Sequence, residues 1–362
     1  MKVLVTGASG FVGNHLVEML VERGDEVRAL VQPGQDTDHL KTLSGVEVIY
    51  GDLTDRPSLE RAVQGTRRVY NIAAKTGPWG PEKLYQAINV QGLADLIDTA
   101  MEAGVDRIVH TSSITVYGHH LSGIVTEDHP YHAEDNPYSR TKIAGEKLIF
   151  RLVEEHGAPV VIVRPGWIYG PRDKASFGRF VNLVASGKAR LLGNGNNIVP
   201  IVYVRDVAQG LIKAGDAGEE AVGRAYNIVD DRRVTQAEYL NTIADALHMP
   251  PVSSKLPFSA IYFAGRSAET IWHIGAQFVP TLRHTPPPLM TYGVTLLGGD
   301  QRFSIDRARH ELGYVPEVDV KQGVAEGVRW HLSSQGQEQP SDVLSPLPGS
   351  DNKTGETADT IV

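Results

Sequence analysis

The chain has 362 residues, a formal charge of −8 and no cysteine. This length can form one large α/β unit or two domains with a substantial buried core. The acidic balance excludes the broad basic surface that nucleic-acid binding requires, so no nucleic-acid partner is expected. The lack of cysteine excludes disulfides, thiolate metal sites and cysteine nucleophiles, and it fits a cytoplasmic location. We also expect no export signal, because the first residues begin a strand directly.

Short apolar runs alternate with helical patterns through the first half of the chain. Strands are predicted at residues 2–5, 26–31, 46–50, 68–72, 107–111 and 160–164. Helix-length segments lie between most of them, the first over residues 12–23. This alternation predicts an α/β fold with a Rossmann-type, doubly wound parallel sheet and helices on both faces. Ligands of such sheets bind outside the carboxyl ends of the strands.

A glycine-rich loop follows the first predicted strand and opens the first helix. Gly7 allows the tight turn, Gly10 lets the backbone approach a pyrophosphate, and Gly13 permits close packing of the helix. The same spacing also occurs in ordinary strand–helix turns. Its position between a first strand and a first helix predicts dinucleotide binding.

The residues in and after the second and third strands bear on the choice between NAD and NADP. An acid commonly ends the second strand when the cofactor is NAD, because a carboxylate binds both ribose hydroxyls. Gln32 stands there instead, and Arg28 and Lys41 are candidate partners of a 2′-phosphate. We therefore expect NAD or NADP, with a slight preference for NADP. Asp52, after the third strand, is placed either to bind the adenine amino group or to stabilise a turn.

Tyr138 and Lys142 lie four residues apart, which on a helix places both side chains on one face. Tyrosine ionises near pH 10, so to exchange protons near neutrality its pKa must fall by roughly 3, which is about 4 kcal/mol. A neighbouring ammonium can supply part of this stabilisation, and an oxidised nicotinamide ring can supply more. Ser113, at a strand end, is a candidate hydrogen-bond donor to a substrate oxygen. The alternatives are a solvated helix face for the Tyr–Lys pair and turn chemistry for the serine.

The second half of the chain is less regular. Helices are predicted at residues 178–186, 204–214 and 235–247, with a strand at 225–229. We assign residues 1–165, joined by the returning strand, to a dinucleotide-binding domain and residues 166–332 mainly to a smaller substrate-binding domain. Residues 333–362 are rich in Ser, Pro, Gly, Gln and acids without periodicity, which predicts a disordered tail.

Residues 258–279 form a largely apolar segment that is long enough to cross a bilayer. Arg266, Glu269 and His273 interrupt it, and its polar residues fall mostly on one side of a helix. The segment is therefore predicted to be an amphipathic helix and not a transmembrane span. We favour a helix packed on the body as the wall or lid of a pocket; a peripheral membrane contact and a dimer contact remain open alternatives.

These motifs, together with the run 163–172, resemble the extended short-chain dehydrogenase/reductase superfamily over nearly all of residues 1–332. The resemblance implies that Ser113, and not Ser112, is catalytic together with Tyr138 and Lys142. It also implies a homodimer formed through the helix that precedes Tyr138 and the helix that contains it. The predicted cofactor-binding residues are Gly7, Ser9, Gly10, Phe11, Val12, Gly13, Gln32, Asp52, Leu53, Ala73, Ala74, Lys75, Asn89, Tyr138, Lys142, Pro165 and Ile168.

The resemblance also bears on the substrate. Sugar-nucleotide epimerases and dehydratases of this superfamily usually carry an asparagine shortly after the position of Arg164, where it contacts the substrate diphosphate. Here Pro165, Gly166 and Trp167 follow instead. The runs 73–80, 89–92, 303–308 and 312–316 are similar to the 3β-hydroxysteroid dehydrogenase branch and its bacterial 2-alkyl-3-oxoalkanoate reductase relatives.

We therefore expect an NAD(P)-dependent oxidoreductase that moves hydride between the nicotinamide and a hydrophobic alcohol or ketone. The expected substrate is sterol-like or a long-chain 3-hydroxy or 3-keto acid. Two alternatives remain: a nucleotide-sugar epimerase or dehydratase with tightly bound NAD, and a non-catalytic dinucleotide-sensing or assembly protein. The thirteen histidines show no metal-ligand spacing, so no metal is expected.

Overall fold

The computed structural model describes residues 1–119, 121–174 and 176–336. Within them, seven strands form one sheet in which every neighbouring pair is parallel. In chain order the strands are β1 (Lys2–Thr6), β2 (Glu26–Val31), β3 (Val46–Tyr50), β4 (Arg68–Asn71), β5 (Arg107–Thr111), β6 (Ile124–Val125), β7 (Val160–Pro165), β8 (Trp167–Tyr169), β9 (Leu191–Leu192), β10 (Ile201–Tyr203), β11 (Ala225–Ile228), β12 (Lys255–Leu256) and β13 (Arg302–Phe303).

The large sheet has the strand order β3, β2, β1, β4, β5, β7, β11. The order reverses between β1 and β4, so a crevice opens there at the carboxyl ends of the strands, as in dinucleotide-binding sheets. The predicted α/β fold with a doubly wound parallel sheet is confirmed. Each predicted strand of this sheet agrees with the structure within one residue at either end.

Helices cover both faces of the sheet and build the second half of the chain. They are α1 (Phe11–Glu22), α2 (Asp38–Thr42), α3 (Arg56–Val63), α4 (Glu82–Gln86), α5 (Gly92–Glu102), α6 (Pro137–His156), α7 (Phe177–Ala185), α8 (Val204–Asp216), α9 (Gln236–Ala246), α10 (Phe258–Phe278), α11 (Thr291–Gly298), α12 (Asp306–Leu312) and α13 (Val320–Ser334). A π-helical turn, Ala87–Gln91, separates α4 from α5, and a 3-10 turn, Ile114–Tyr117, follows β5.

The strands bury alternate side chains in two cores, one on each face of the sheet. In β7, Val161 and Val163 belong to one core, and Val160 and Ile162 belong to the other. Burial on both faces explains why these strands read as continuous apolar runs in the sequence. The first core continues from α1 and α8 into the second half of the chain. The division into two domains at residue 165 stays a prediction.

Local sequence fixes the ends of α6, the helix that carries Tyr138 and Lys142. The Asn136 side chain caps its N-terminus by accepting a hydrogen bond from Ser139 N at 2.9 Å, and Pro137 occupies the first turn, where its missing N–H costs nothing. Gly157 ends the helix in the left-handed conformation, with φ 66°. Tyr138 and Lys142 therefore lie in the first two turns.

The C-terminal part of the prediction falls partly outside the structure. Of the predicted tail, residues 337–362 lie outside the described residues, while α13 continues to Ser334. Segment 258–279 is helical as predicted, since it forms α10. None of the helices described is long and apolar enough to cross a membrane. In the same part of the chain, no group of three or more His, Cys, Asp or Glu side chains is placed to hold a metal ion.

Candidate active site

A cleft of about 920 Å³ lies at the carboxyl ends of β1, β4 and β5. Every predicted cofactor residue except Asn89 lines it, and so does Ser113. The topology of the sheet therefore brings residues that are far apart in the sequence, between 6 and 174, together at the carboxyl ends of the strands. Residues that the sequence analysis did not assign to the cofactor also line the cleft, among them Gln35, Asp36, His39, Arg172, Lys174, Tyr292, Leu296 and Trp330.

The glycine loop forms a tight cradle at the start of α1. Gly7 has φ +65°, and a Cβ there would lie 2.9 Å from Ala73 N. A Cβ on Gly13 would collide with Gly7 O, and Gly10 N donates to the same oxygen at 2.9 Å. Gly10 is the N-cap of α1 and has no side chain with which to cap the helix. First-turn N–H groups therefore remain for a ligand, which suits a diphosphate.

Thr6 ties the two strands on either side of the crevice together. Its hydroxyl donates to Asn71 Oδ1 at 2.7 Å and accepts hydrogen bonds from the backbone N–H groups of Ile72 and Ala73, both at 3.1 Å. These bonds fix the loop after β4 against the glycine loop. The Thr6 side chain thereby sets the width of the crevice.

Asp52 both lines the cleft and stabilises a turn. Its Oδ1 accepts from Thr54 N at 2.8 Å, and its Oδ2 accepts from Gln32 Nε2 at 2.5 Å. Burial alone would raise the pKa of Asp52, but the hydrogen bonds from Thr54 and Gln32 outweigh it and lower the pKa. The carboxylate is therefore ionised at neutral pH. The turn interpretation is seen in the bonds to Thr54, and binding of the adenine amino group stays a prediction.

Arg28 is not available to a cofactor phosphate, contrary to expectation. It is buried, and its Nη1 donates to Ala62 O at 2.8 Å and to Gln64 O at 2.7 Å. Its Nε donates to Glu47 at 3.0 Å. The sequence analysis considered its charge but not its position inside the sheet. Asp36, five residues beyond the end of β2, lines the cleft instead.

Tyr138, Lys142 and Ser113 meet at the inner end of the cleft. Lys142 Nζ lies 5.8 Å from the centroid of the Tyr138 ring, as the four-residue spacing predicts, and donates to Thr111 O at 2.7 Å. A side-chain hydrogen bond joins Tyr138 to Ser113. Ser113 Oγ also accepts from Thr115 N at 3.2 Å, so the serine serves both the turn and the site.

Burial moves the pKa values of this group away from what the spacing alone predicts. It raises the pKa of Tyr138 to about 12, against the opposing effect of the bond to Ser113. Burial also lowers the pKa of Lys142 to about 8, against the opposing effect of Glu146. The protein without ligands therefore does not show the lowered tyrosine pKa that proton exchange near neutrality requires, because desolvation of the phenolate outweighs the bond to Ser113.

Glu146, one helical turn beyond Lys142, anchors the site from behind and was missed by the sequence analysis. It is fully buried and accepts hydrogen bonds from Ser112 Oγ, from Tyr131 Oη at 2.6 Å and from Arg164 Nε at 3.0 Å. These bonds join α6 to the ends of β5 and β7. They also give the two adjacent serines different roles. The hydroxyl of Ser112 donates to Glu146, whereas the side chain of Ser113 contacts Tyr138.

Asn89 does not line the cleft but fixes one of its walls. It lies in the π-helical turn, where its Oδ1 accepts from Lys75 N at 2.7 Å. Its Nδ2 donates to Lys75 O and to Thr141 Oγ1, both at 3.0 Å. The loop after β4 is thereby held against α6.

A second cavity of about 340 Å³ adjoins the first, and Tyr292 lines both. Its walls are the segment 78–82, the start of α6, the inner side of α10 and the start of α11. Trp79 bridges two of these walls, because its Nε1 donates to Leu282 O at 3.0 Å and its ring centroid lies 4.5 Å from that of His273. Helix α10 thus forms a pocket wall, as we favoured from the sequence.

Comparison with known proteins identifies the family. The profile of the NAD dependent epimerase/dehydratase family matches residues 3–229, which is more than half of the chain. The chain belongs to this family. As an epimerase/dehydratase family member it is an NAD-dependent enzyme, and the resemblance to the extended short-chain dehydrogenase/reductase superfamily is confirmed.

Individual members of the epimerase/dehydratase family match nearly the whole chain. A 2-alkyl-3-oxoalkanoate reductase from Stenotrophomonas maltophilia is 32% identical over 335 residues, covering 90% of this chain and 97% of the relative. A 3beta-hydroxysteroid-dehydrogenase/decarboxylase (isoform 2) from Arabidopsis thaliana is 30% identical, covering 99% and 67%. The crystal structure of the dTDP-glucose 4,6-dehydratase DesIV from Streptomyces venezuelae, solved with NAD, is similar with a TM-score of 0.73 at 25% identity, covering 93% and 98%.

Proposed function

We propose that this enzyme transfers hydride between a nicotinamide cofactor and a hydrophobic alcohol or ketone, with Tyr138 as the acid/base. The observation that carries the proposal is the meeting of Tyr138, Ser113 and Lys142 in the first cleft, which a second cavity adjoins at Tyr292. One cavity has the glycine cradle of a dinucleotide site. The other is a separate space that can hold a substrate; Pro137, the neighbour of Tyr138 in the chain, and Tyr292 line it.

The cleft fits a nicotinamide dinucleotide, because the closely packed glycine loop leads into α1, whose first-turn N–H groups have no side-chain cap and can bind a diphosphate. When bound, this cofactor supplies or accepts the hydride at the carbon that bears the reacting oxygen. In the reducing direction Tyr138 Oη donates its proton to that oxygen, and in the oxidising direction it accepts the proton. Ser113 hydrogen-bonds the same oxygen as negative charge develops on it. Lys142 stays largely protonated near neutral pH, since its pKa is about 8, and its charge favours the phenolate.

Three observations support a hydrophobic substrate. The second cavity combines apolar side chains, Trp79, Tyr262 and Met290, with charged ones that include Arg140, Glu269 and Arg283, which suits a substrate with an apolar part and a polar group. Gly166, near the position where sugar-nucleotide enzymes usually carry asparagine, is packed so closely that a Cβ would collide with Pro200 O. Two of the relatives named above act, by their names, on an oxoalkanoate and a hydroxysteroid.

A carboxylate on the substrate is also part of the proposal. Arg283 lines the second cavity, where its Nε donates to Ala276 O at 3.0 Å. Within the described residues, no ion pair joins its guanidinium to a carboxylate. An acid head group would supply that partner, and this favours a 3-hydroxy or 3-keto acid over a neutral sterol.

We propose NAD in preference to NADP, although the sequence favoured NADP slightly. That preference depended on Arg28 and Lys41, of which Arg28 is buried and Lys41 does not line the cleft. Asp36 lines the cleft beyond the end of β2, where a carboxylate can bind ribose hydroxyls and repels a 2′-phosphate. Comparing kcat/KM for NAD and NADP tests this, and a preference for NADP would contradict it.

A homodimer through α5 and α6 and a cytoplasmic location also remain proposals. The dimer is implied by the resemblance to the superfamily, and the location by the lack of cysteine. Light scattering of the purified protein tests the first, and imaging of the tagged full chain in its native cell tests the second. A monomer, or a signal outside the cytoplasm, would contradict them.

The second candidate function is a nucleotide-sugar epimerase or dehydratase, which the family profile and the likeness to DesIV favour. The two functions differ in the fate of the cofactor. Incubating the purified protein with stoichiometric reduced cofactor and a long-chain 2-alkyl-3-oxoalkanoate should consume the cofactor and the ketone in equal amounts. Incubation with UDP-glucose or dTDP-glucose should leave the sugar unchanged. Cofactor-neutral conversion of a sugar nucleotide would overturn the proposal.

A further inference from the structure

Tyr292, in the first turn of α11, lies where the two cavities meet. Among the residues that the structure describes, it is the only one that lines both the first cleft and the second cavity. Tyr138, the acid/base of the proposed reaction, lines the first cleft alone. A substrate that reacts at Tyr138 and extends into the second cavity must therefore pass Tyr292. The atoms next to its reacting carbon then lie against this side chain.

The position of the Tyr292 side chain is fixed from two sides. At the start of α11, Thr291 N and Thr291 Oγ1 donate to Glu269 Oε1 of α10 at 2.7 and 2.8 Å. The Tyr292 ring packs edge-on against the buried ring of His119, with 5.2 Å between the two centroids. These contacts hold the phenol in place before a substrate binds, which lowers the entropic cost of forming a hydrogen bond with it.

The Tyr292 hydroxyl is available to a ligand. Within residues 1–119, 121–174 and 176–336, no hydrogen bond joins this hydroxyl to another group. Burial raises the pKa of Tyr292, and the nearby Tyr138 and Glu134 raise it further. The phenol therefore stays protonated at neutral pH and acts as a donor, not as a base. A substrate that presents only carbon there leaves the hydroxyl without a partner, whereas an acceptor oxygen satisfies it.

We propose that Tyr292 determines specificity by donating a hydrogen bond to a second oxygen of the substrate, close to the oxygen that Tyr138 serves. In a 3-keto acid or its ester, this second oxygen belongs to the carboxyl group, which one methylene separates from the reacting carbon. The enzyme thereby selects substrates with two neighbouring oxygens over simple ketones. This inference rests on the proposed function and adds to it. Arg283 recognises the charge of an acid, whereas Tyr292 recognises the oxygen of acid and ester alike.

Three ketones with the same alkyl chain test the inference: 3-oxododecanoate, its methyl ester, and 2-undecanone, which lacks the carboxyl group. Wild type should have a higher kcat/KM for the acid and for the ester than for 2-undecanone. In Tyr292→Phe, the ratio of kcat/KM for the acid to that for 2-undecanone should fall at least about tenfold, and the corresponding ratio for the ester at least about twofold. The pH profile of kcat should keep its wild-type shape, because Tyr292 does not exchange protons.

Tyr314→Phe is the matched control. Among the described residues the Tyr314 hydroxyl also has no hydrogen-bond partner, but it is fully buried and lines neither cavity. This variant should keep the wild-type ratios for all three ketones. Arg283→Gln should lower kcat/KM for the acid and keep the ratio of the ester to 2-undecanone. All three variants should bind the dinucleotide as wild type does, which shows that each is folded.

Two outcomes would overturn the inference while the proposed reaction stands. One is wild type without a preference for the acid and the ester, or a Tyr292→Phe variant that keeps the wild-type ratios. The other is an equal loss by Tyr292→Phe on all three ketones, which would assign Tyr292 to the reacting oxygen or to the packing of the site. A wild type that reduces none of the three ketones would instead overturn the proposed function, and the inference with it.

Discussion

Replacing Glu146 by glutamine should strongly destabilise the protein, because it removes the negative charge that faces a buried arginine. Glu146 and Arg164 are almost completely buried, and Arg164 Nη2 lies 2.5 Å from Glu146 Oε2. The isosteric amide keeps the shape of the side chain but leaves the guanidinium uncompensated. Breaking a buried pair in this way costs about 3–5 kcal/mol. That is a large part of the about 5–15 kcal/mol by which folded proteins are stable.

A matched control separates burial from the loss of an ion pair as such. Glu82 also pairs with an arginine, since its Oε2 lies 2.6 Å from Arg140 Nη2, but both side chains are exposed. Glu82→Gln should therefore cost no more than about 1 kcal/mol. Removing both buried charges, as in E146L/R164M, should recover part of the loss, because no unpaired charge remains.

Urea unfolding of the protein without added cofactor measures these differences. The midpoint of E146Q should fall well below those of wild type and E82Q, with the slope of the transition unchanged. Equal midpoints for E146Q and E82Q would refute the reasoning, because the buried network would then contribute no more than an exposed pair.

Three further predictions concern the cofactor cleft. Gly13→Ala should weaken dinucleotide binding at least about tenfold in titration calorimetry, because its Cβ would meet Gly7 O; Gly293→Ala, with no atom within 4 Å of its Cβ, should leave binding unchanged. The turnover rate should fall as pH rises through about 8, because Lys142 then loses its proton, and Lys142→Arg should move this limb of the kcat profile to higher pH. Asp36→Asn should raise the ratio of kcat/KM for NADP to that for NAD, since the carboxylate no longer repels the 2′-phosphate; an unchanged ratio would show that Asp36 does not select the cofactor.

The sequence predicted the sheet well because most of its strands are buried on both faces, the edge strand β3 being the exception. Such strands are uninterrupted apolar runs, and the loop at Gly7 marks where the first of them ends. The spacing of Tyr138 and Lys142 likewise predicted their common face, because both lie in one regular helix. These features depend on local pattern, which a single sequence contains.

The features that the sequence analysis missed depend on which residues meet across the fold. Glu146 looks like an ordinary solvated acid on a helix, and only the approach of Arg164 from β7 makes it a buried anchor. Tyr292 carries no local signal, although α11 brings it between the two cavities. The raised pKa of Tyr138 in the protein without ligands was missed as well, because spacing reports the nearby ammonium but not the depth of burial.

The most direct test of the central claim is hydride transfer by the variant Tyr138→Phe. The substitution removes only the phenolic oxygen, which the account makes the proton donor and acceptor, and it leaves the glycine cradle intact. We expect the single-turnover rate to fall at least about 100-fold while the dissociation constant of the dinucleotide stays within about twofold of wild type. Tyr50→Phe, at an exposed tyrosine, should match wild type in both. A Tyr138→Phe variant that transfers hydride at the wild-type rate would contradict the account.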